Sequence, residues 1–179
     1  MKISFTPMGP PDSDAIVEFL STNNFPFHVR RDWKDGELKQ SVDDGRYWNE
    51  ESQGFWIDGD GQSLGMVVLE DLEDDTPMFD LRMATSYRGQ GLGVNVLKEL
   101  CAKVFTDYPE ALRFEGQTRE DNIAMRKTFL KAGFLKEAHY RMGWPADDGK
   151  KLASVAYAIL RQDWESGETT NFDWNDMEV

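Results

Sequence analysis

The sequence predicts an α+β protein, a mixed sheet with several helices in one domain. Strand-like and helix-like segments follow one another along 179 residues without the regular alternation of a doubly wound fold. A chain of this length buries roughly 70% of its unfolded surface, so a full core is available. Apolar residues make up 40% and charged residues 30%, as in ordinary globular proteins. We predict a domain over residues 1–165 and an acidic tail over 166–179.

The first half of the chain predicts four strands and two helices. Asp58 to Gly61 is a turn sequence between two apolar segments, which predicts a hairpin. A helix begins near Pro10, and its apolar residues recur at helical spacing up to Leu20. The predicted strands are 2–6, 54–58, 64–69 and 77–84, and a second helix covers 37–42 within the otherwise irregular aromatic segment 23–48.

The second half predicts two helices and three strands. Residues 91–105 place apolar side chains on one helical face, and Gly133 ends a further helix over 121–132. After Arg161 there is no further Lys or Arg, and we predict an irregular tail. The predicted strands are 111–115, 134–144 and 152–160.

The charge of the chain is strongly negative. Twenty basic and thirty-three acidic residues give a formal net charge of −13, and no Lys or Arg lies between Arg46 and Arg82. Nucleic-acid binding depends on Lys and Arg contacts to phosphates, so the composition argues against that partner. A cationic small molecule or a basic polypeptide fits better, although an acidic surface also serves simple solubility.

Other features exclude further classes. No segment approaches the roughly 20 apolar residues of a membrane span, and the N-terminus does not resemble a secretory signal. Cys101 is the only cysteine, so no internal disulfide or thiolate metal cluster is expected. His28 and His139 lack partners at metal-binding spacing, and we predict no metal. Together these features favour a cytoplasmic protein that makes no membrane contact.

The most specific motif is a glycine-rich loop between a predicted strand and a predicted helix. Glycines let backbone N–H groups converge on an anion, and a helix N-terminus adds partial positive charge. The loop lacks the Lys-Ser/Thr pair of a Walker A motif, and its glycine spacing departs from the dinucleotide-binding fingerprint. A plain glycine-rich turn is the remaining alternative. The loop consists of Arg88, Gly89, Gln90, Gly91, Leu92 and Gly93.

Together with a second motif, this loop resembles the pyrophosphate loop of the GNAT N-acetyltransferase superfamily. The second motif is Asn122 followed by Gly133 and Phe134, and its surroundings are most similar to the Rim branch, which acetylates ribosomal-protein N-termini. The resemblance is strong over 80–144 and topological over 1–164. It implies a mixed, mostly antiparallel sheet, splayed at the acetyl-CoA site, with helices on both faces.

The resemblance also implies how acetyl-CoA, as co-substrate, is held. Backbone groups near the end of a strand would bind the pantetheine arm together with Asn122, and the loop amides would bind the pyrophosphate. Asn122 can instead serve only as a helix N-cap. Either Arg126 or Lys127 would reach the adenosine 3′-phosphate. The implied cofactor-binding residues are Met83, Ala84, Thr85, Arg88, Gly89, Gln90, Gly91, Leu92, Gly93, Asn122 and Arg126.

The implied reaction moves the acetyl group directly to an amine through a tetrahedral intermediate. A carboxylate with a raised pKa would take a proton from the entering ammonium. The first candidate is Glu115, the second Glu70 and the third Asp80. The backbone amide of Met83 or Ala84 would stabilise the oxyanion.

The proton donor to the departing CoA thiolate is where the sequence departs from the family. The two family positions for this donor hold Phe129 and Met125, and neither side chain can donate a proton. A thiolate is a fair leaving group, since a free thiol has a pKa near 8.5. Tyr140, Tyr108 or water remain as substitutes.

The acceptor is expected to be a protein N-terminus or a small cationic amine. Trp33, Tyr47 and Trp48 lie where the family builds its acceptor pocket, and aromatic rings can hold an ammonium. Core packing is the alternative that we prefer for these aromatic residues. Two other functions stay open: a catalytically silent CoA-binding sensor and a nicotinamide-dependent oxidoreductase. The oligomeric state is open too, a homodimer included.

Overall fold

The structure, a computed structural model, describes residues 1–31, 33–34 and 36–174, excluding the side chain of Asp148. Seven strands and five α-helices lie within these residues. The strands are β1 Ile3–Pro7, β2 Gln53–Gly59, β3 Gln62–Glu70, β4 Met78–Met83, β5 Arg113–Arg119, β6 Leu135–Pro145 and β7 Lys151–Leu160. The helices are α1 Ser13–Thr22, α2 Glu37–Asp43, α3 Leu92–Asp107, α4 Ile123–Lys131 and α5 Arg161–Ser166.

The strands form one mixed sheet in the order β1-β2-β3-β4-β5-β7-β6. All neighbours are antiparallel except β4 and β5, which run parallel and, within the described residues, pair at Met78 and Glu115 alone. Beyond that pair the strands separate, and their facing backbone groups are left for other partners. The predicted α+β fold with a mostly antiparallel, splayed sheet is confirmed.

Helices cover both faces of this sheet, each over its own hydrophobic core. Successive side chains of a strand face opposite sides, so β4 divides its residues between the two faces. Phe79 and Leu81 belong to the larger core, which α3 and α4 cover. Asp80 and Arg82 therefore lie on the opposite face, where α1 and α2 cover the smaller core. This alternation places charged side chains beside the opening between β4 and β5.

Strand β5 extends further than the sequence predicts. It ends at Arg119 instead of residue 115, because Gln117, Thr118 and Arg119 pair with β7. The sequence prediction assigned residues 116–119 to no strand, and several of them are polar. In the structure two of them, Gln117 and Thr118, border a cavity, which is why they can be polar within a central strand.

The residues that follow Arg161 form helix α5, where the sequence predicted an irregular tail. The guanidinium of Arg161 donates hydrogen bonds of 2.7–2.8 Å to the backbone oxygens of Phe105, Tyr108 and Ala111 at the end of α3. Trp164 packs on Phe105 with ring centres 5.5 Å apart. These contacts hold α5 against the end of α3.

Candidate functional site

A groove of about 350 Å³ opens where β4 and β5 separate, and the glycine-rich loop borders it. Gly89 and Gly91 have φ of 73° and 78°, the left-handed region that favours glycine. Within the described part of the chain, the N–H groups of Gly89, Gln90 and Gly91 have no hydrogen-bond partner. Gly91 also directly precedes α3. Free amides at a helix N-terminus fit a phosphate group.

Arg88 forms part of the groove wall. Its Nε donates to the backbone oxygen of Met83 at 2.9 Å, and its guanidinium lies 5.0 Å from the ring centre of Phe25. Burial lowers the pKa of this guanidinium. Its Nη2 is buried and has no hydrogen-bond partner among the described residues. Such atoms are rare in native proteins, and an oxygen of a ligand in the groove would satisfy this one.

Backbone groups at the end of β4 are divided between the sheet and the groove. Ala84 N–H donates to Leu64 O at 2.8 Å, which removes it as a predicted oxyanion donor. Thr85 N–H donates to Asn23 Oδ1 at 2.7 Å. Neighbouring strand residues direct their backbone groups to opposite sides, so those of Met83 face the groove. Of the two predicted oxyanion donors, Met83 N–H remains.

The side chain of Asn122 caps helix α4, which is one of the two roles that the sequence indicated for it. Its Oδ1 accepts from Met125 N–H at 3.3 Å, and its Nδ2 donates to Thr118 Oγ1 at 3.0 Å. The side chain also borders the groove. Because an amide nitrogen carries two hydrogens, the cap leaves one hydrogen for a ligand.

Arg126 does not border the groove. Its Nη1 donates to Glu120 O at 2.7 Å and its Nε to the Tyr157 hydroxyl at 3.2 Å, so its guanidinium is held by other parts of the fold. Lys127 and Lys131 border the groove instead. The positions of these side chains therefore favour Lys127 and Lys131 over Arg126 as phosphate-binding residues.

A second cavity, of about 310 Å³, lies next to the groove. Five residues border both spaces: Phe27, His28, Leu81, Asn122 and Met125. Because the same side chains line both, the groove and the cavity meet beside the opening between β4 and β5. A ligand that lies along the groove can meet a second ligand in the cavity.

The carboxyl groups of Glu70 and Asp80 border this cavity, and each has different basic side chains beside it. Glu70 lies 3.7 Å from the guanidinium of Arg46, and burial raises its pKa, as does the charge of Asp80. Burial alone would raise the pKa of Asp80 as well, but His28 and Arg82 outweigh it and hold that pKa well below its usual range. Glu70 is therefore the carboxyl group suited to accepting a proton.

Glu115, the first candidate base, does not border the cavity. Its Oε2 lies 2.6 Å from Arg113 Nη1, and its Oε1 accepts from Gln117 Nε2 at 3.0 Å. Arg113 also pairs with Glu137 at 2.7 Å. Both carboxylate oxygens of Glu115 are thus committed within the sheet, which favours Glu70 over it.

The aromatic residues predicted for the acceptor pocket lie elsewhere. Tyr47 is 5% exposed in the smaller core, where burial raises its pKa, and Trp48 packs against the same core. Trp33 packs against that core too and borders a separate surface cavity. The cavity is lined instead by Phe27, Phe79 and Trp144. The Nε1–H of Trp144 donates to Phe27 O at 3.0 Å, which holds these two residues together. No sequence signal linked these two distant residues.

The described residues contain no group of three or more His, Cys, Asp or Glu side chains that could hold a metal ion. None of the helices described is both long enough and apolar enough to cross a membrane.

A splayed sheet, a groove whose free amides fit a phosphate group, and an adjoining cavity together fit a group-transfer enzyme. The sequence model of one protein family, the acetyltransferase (GNAT) domain, matches residues 2–135 of this chain. The chain therefore belongs to the GNAT acetyltransferase family, and it is an N-acetyltransferase.

Solved structures of the same fold include two enzymes with named acceptors. Spermidine N-acetyltransferase from Vibrio cholerae, in complex with CoA and spermine, has a TM-score of 0.77 and 15% identity, over 91% of this chain and 98% of its own. RimL, a ribosomal L7/L12 α-N-protein acetyltransferase in complex with CoA, has a TM-score of 0.76 and 14% identity, over 89% and 94%. A probable acetyltransferase has a TM-score of 0.72 and 20% identity, over 90% and 94%. These likenesses show that the chain shares their fold.

Proposed function

We propose that the protein transfers the acetyl group of acetyl-CoA directly to a primary amine. The observation that carries this proposal is the meeting of the groove and the cavity at the opening between β4 and β5. That arrangement suits a donor and an acceptor that react without an acyl-enzyme. The one cysteine, Cys101, is buried in the core, and burial raises the pKa of its thiol, so it is a poor nucleophile.

Acetyl-CoA fits the donor set of the groove. The free amides of the glycine-rich loop suit its pyrophosphate, and Lys127 and Lys131 suit its 3′-phosphate. Arg88 Nη2 offers a buried hydrogen bond to a ligand oxygen. Two of the similar structures are CoA complexes. The bound molecule would supply the thioester, and the residues around it would control protons and charge.

Each chemical need of the transfer has a candidate group in the structure. Glu70 takes the proton from the entering ammonium, because its raised pKa makes it a stronger base than an ordinary carboxylate. Met83 N–H stabilises the oxyanion of the tetrahedral intermediate. The rings of Phe27 and Trp144 contact the acceptor before its proton is lost.

The acceptor is a protein N-terminus or a small cationic amine. The similar structures include one enzyme named for spermidine and one named for a ribosomal protein N-terminus. The net charge of −13 favours an acceptor with positive charge beyond the reacting amine. Both classes satisfy that condition.

The test is an acetylation assay with acetyl-CoA over a panel of polyamines and peptides with free N-termini. Mass spectrometry of the amine and release of the CoA thiol measure the product independently. We expect matched amounts of acetylated amine and free thiol for at least one acceptor class. Thiol release without an acetylated amine, or no turnover across the panel, would refute the proposal.

A catalytically silent CoA sensor is the second candidate, and one observation favours it. Phe129 is fully buried and stacks on Tyr157 with ring centres 4.7 Å apart, so its place in the family's proton-donor position is structural. A sensor would bind acetyl-CoA and gain about 2.7 kcal/mol of stability at 100 times Kd, yet acetylate nothing in the panel.

A further inference from the structure

His28 lies between the groove and the cavity and borders both. Its ring packs edge-on against Phe25 with ring centres 5.5 Å apart. Its Nε2 lies 3.1 Å from Asp80 Oδ1 and 3.1 Å from Leu81 O. Its Nδ1 is buried and, among the described residues, has no hydrogen-bond partner. A buried ring nitrogen without a partner at the junction of two ligand spaces needs an explanation.

The two contacts of Nε2 determine the tautomer of His28. A backbone carbonyl can only accept a hydrogen bond, so Nε2 must carry the hydrogen toward Leu81 O. The neighbouring Asp80 is an acceptor as well, and Arg82 holds its carboxylate with bonds of 2.8 and 3.1 Å. In the neutral ring the free lone pair is therefore on Nδ1.

We propose that His28 is the proton shuttle of the transfer reaction, with Asp80 as its positioning residue. This inference rests on the proposed function. When the neutral amine attacks the thioester carbon, a C–N bond forms and the nitrogen becomes positively charged. Nδ1 of His28 accepts the proton from that nitrogen and gives it to the sulfur as the C–S bond breaks. The products are the acetylated amine and the free thiol, and His28 is neutral again.

The shuttle supplies the proton donor that Phe129 and Met125 cannot provide. It also separates the roles of the two ionisable groups at the junction. Glu70 removes the first proton, from the entering ammonium, and releases it to solvent. His28 moves the second proton, from the attacked intermediate to the sulfur.

Charged groups lie beside His28 on several elements. Asp80 contacts its ring, and Glu70 lies on another wall of the same cavity. The basic side chains near these two carboxyl groups are those of Arg30, Arg46 and Arg82.

The first test measures the tautomer without acetyl-CoA and without activity. Because the chain has two histidines, ¹H–¹⁵N multiple-bond NMR can assign both rings from His28→Gln and His139→Gln. In the neutral ring we expect His28 to carry its hydrogen on Nε2, and we expect Asp80→Asn to weaken that preference. A hydrogen on Nδ1 of His28 in the unchanged protein would overturn the proposal.

The second test measures the proton transfer itself. In His28→Gln we expect kcat to fall about 100-fold, within the range of general acid–base catalysis, with the KM for the amine nearly kept. His139 is exposed on β6, so His139→Gln should keep the wild-type rate. Added imidazole should restore part of kcat to His28→Ala, which a purely structural role would not allow.

The kinetic outcomes separate this inference from the proposed function. A wild-type protein that acetylates amines, with His28→Gln equally active, would remove the shuttle and leave the function in place. A wild-type protein that acetylates nothing would remove both. Loss of kcat without rescue of His28→Ala by imidazole would also count against the shuttle.

Discussion

The carboxyl group of Glu70 lacks contacts as close as those that Asp80 makes with Arg82 and His28. Burial raises its pKa, so the carboxylate form is available only above that raised value. Acting as base, it should make kcat rise with pH through this pKa and then level off. We expect Glu70→Gln to remove this rise and to lower the upper plateau about 100-fold, with acetyl-CoA affinity kept. The measurement is kcat from pH 5 to 9.

Glu115→Gln is the matched control, because it is the same change at a carboxyl group that does not border the cavity. Its carboxylate is occupied by Arg113 and Gln117, so we expect the rise of kcat with pH to persist. A pH profile that is lost in Glu115→Gln and kept in Glu70→Gln would reverse the assignment. The spacing of Arg113 and Glu115, two residues apart on one strand, could have indicated their ion pair from the sequence.

Asp80 couples the stability of the fold to pH. Its pKa is held well below its unfolded value, so its ion pairs stabilise the native state at neutral pH. That contribution is complete above about pH 4, near the unfolded pKa, and is lost as pH falls toward the folded pKa. We expect Asp80→Asn to cost about 1–3 kcal/mol at pH 7 and progressively less below pH 4. Thermal unfolding of this variant beside Asp74→Asn, an exposed loop position, measures the difference; a pH-independent difference would contradict it.

At the scale of elements, the position of β4 depends on close packing against β3. A Cβ atom at Gly65 would lie 2.9 Å from Met83 Cα and still closer to Arg82 O. Both are backbone atoms, so the two strands would have to shift. We expect Gly65→Ala to cost about 1–3 kcal/mol and to weaken CoA binding, because Met83 borders the groove.

The control for this change is Gly9→Ala. A Cβ atom there meets Pro11 at 3.7 Å, an ordinary contact, so stability and CoA affinity should be nearly unchanged. Denaturant unfolding and calorimetric titration with CoA measure the two quantities. Equal effects of the two substitutions would contradict a special role for the contact between β3 and β4.

Local patterns in the sequence predicted most of the elements. Alternation and helical spacing depend on which face of an element is buried, and both patterns are local. The predictions from these patterns were wrong where a cavity or a contact with a distant segment determines which residues an element contains. Gln117 and Thr118 are polar because they border the cavity. Helix α5 is held in place because its Arg161 and Trp164 contact Phe105, which lies far away in the sequence.

At the scale of the whole molecule, the sequence indicated the consecutive residues of the groove and a few single residues such as Glu70 and Asn122, but not which segments meet. The groove depends on a loop of six neighbouring residues, and its glycines indicated an anion site. The cavity instead brings together His28, Glu70 and Trp144 from three distant segments. Nothing local records that His28 lies against Leu81, 53 residues later in the chain. Such contacts follow from the topology of the sheet, which one sequence does not display.

The charge of the whole molecule leads to the last prediction. The cavity itself carries Arg30 and Arg46 as well as Glu70 and Asp80, so its own residues give little net attraction for a cation. The net charge of −13 must act from a distance instead. The Debye length falls from about 30 Å at 0.01 M salt to about 8 Å at 0.15 M, so salt should remove this attraction.

Two peptides that differ only in Lys or Glu at the third position isolate this effect. We expect kcat/KM for the Lys peptide to fall with added salt, while that for the Glu peptide stays level or rises, because the negative field repels it. We expect kcat to be unchanged by salt for both peptides, because the reacting amine is the same. The difference in the salt dependence of kcat/KM then comes from encounter and binding. Equal salt dependence of the two peptides would mean that the acidic surface serves solubility and that the cavity alone selects the acceptor.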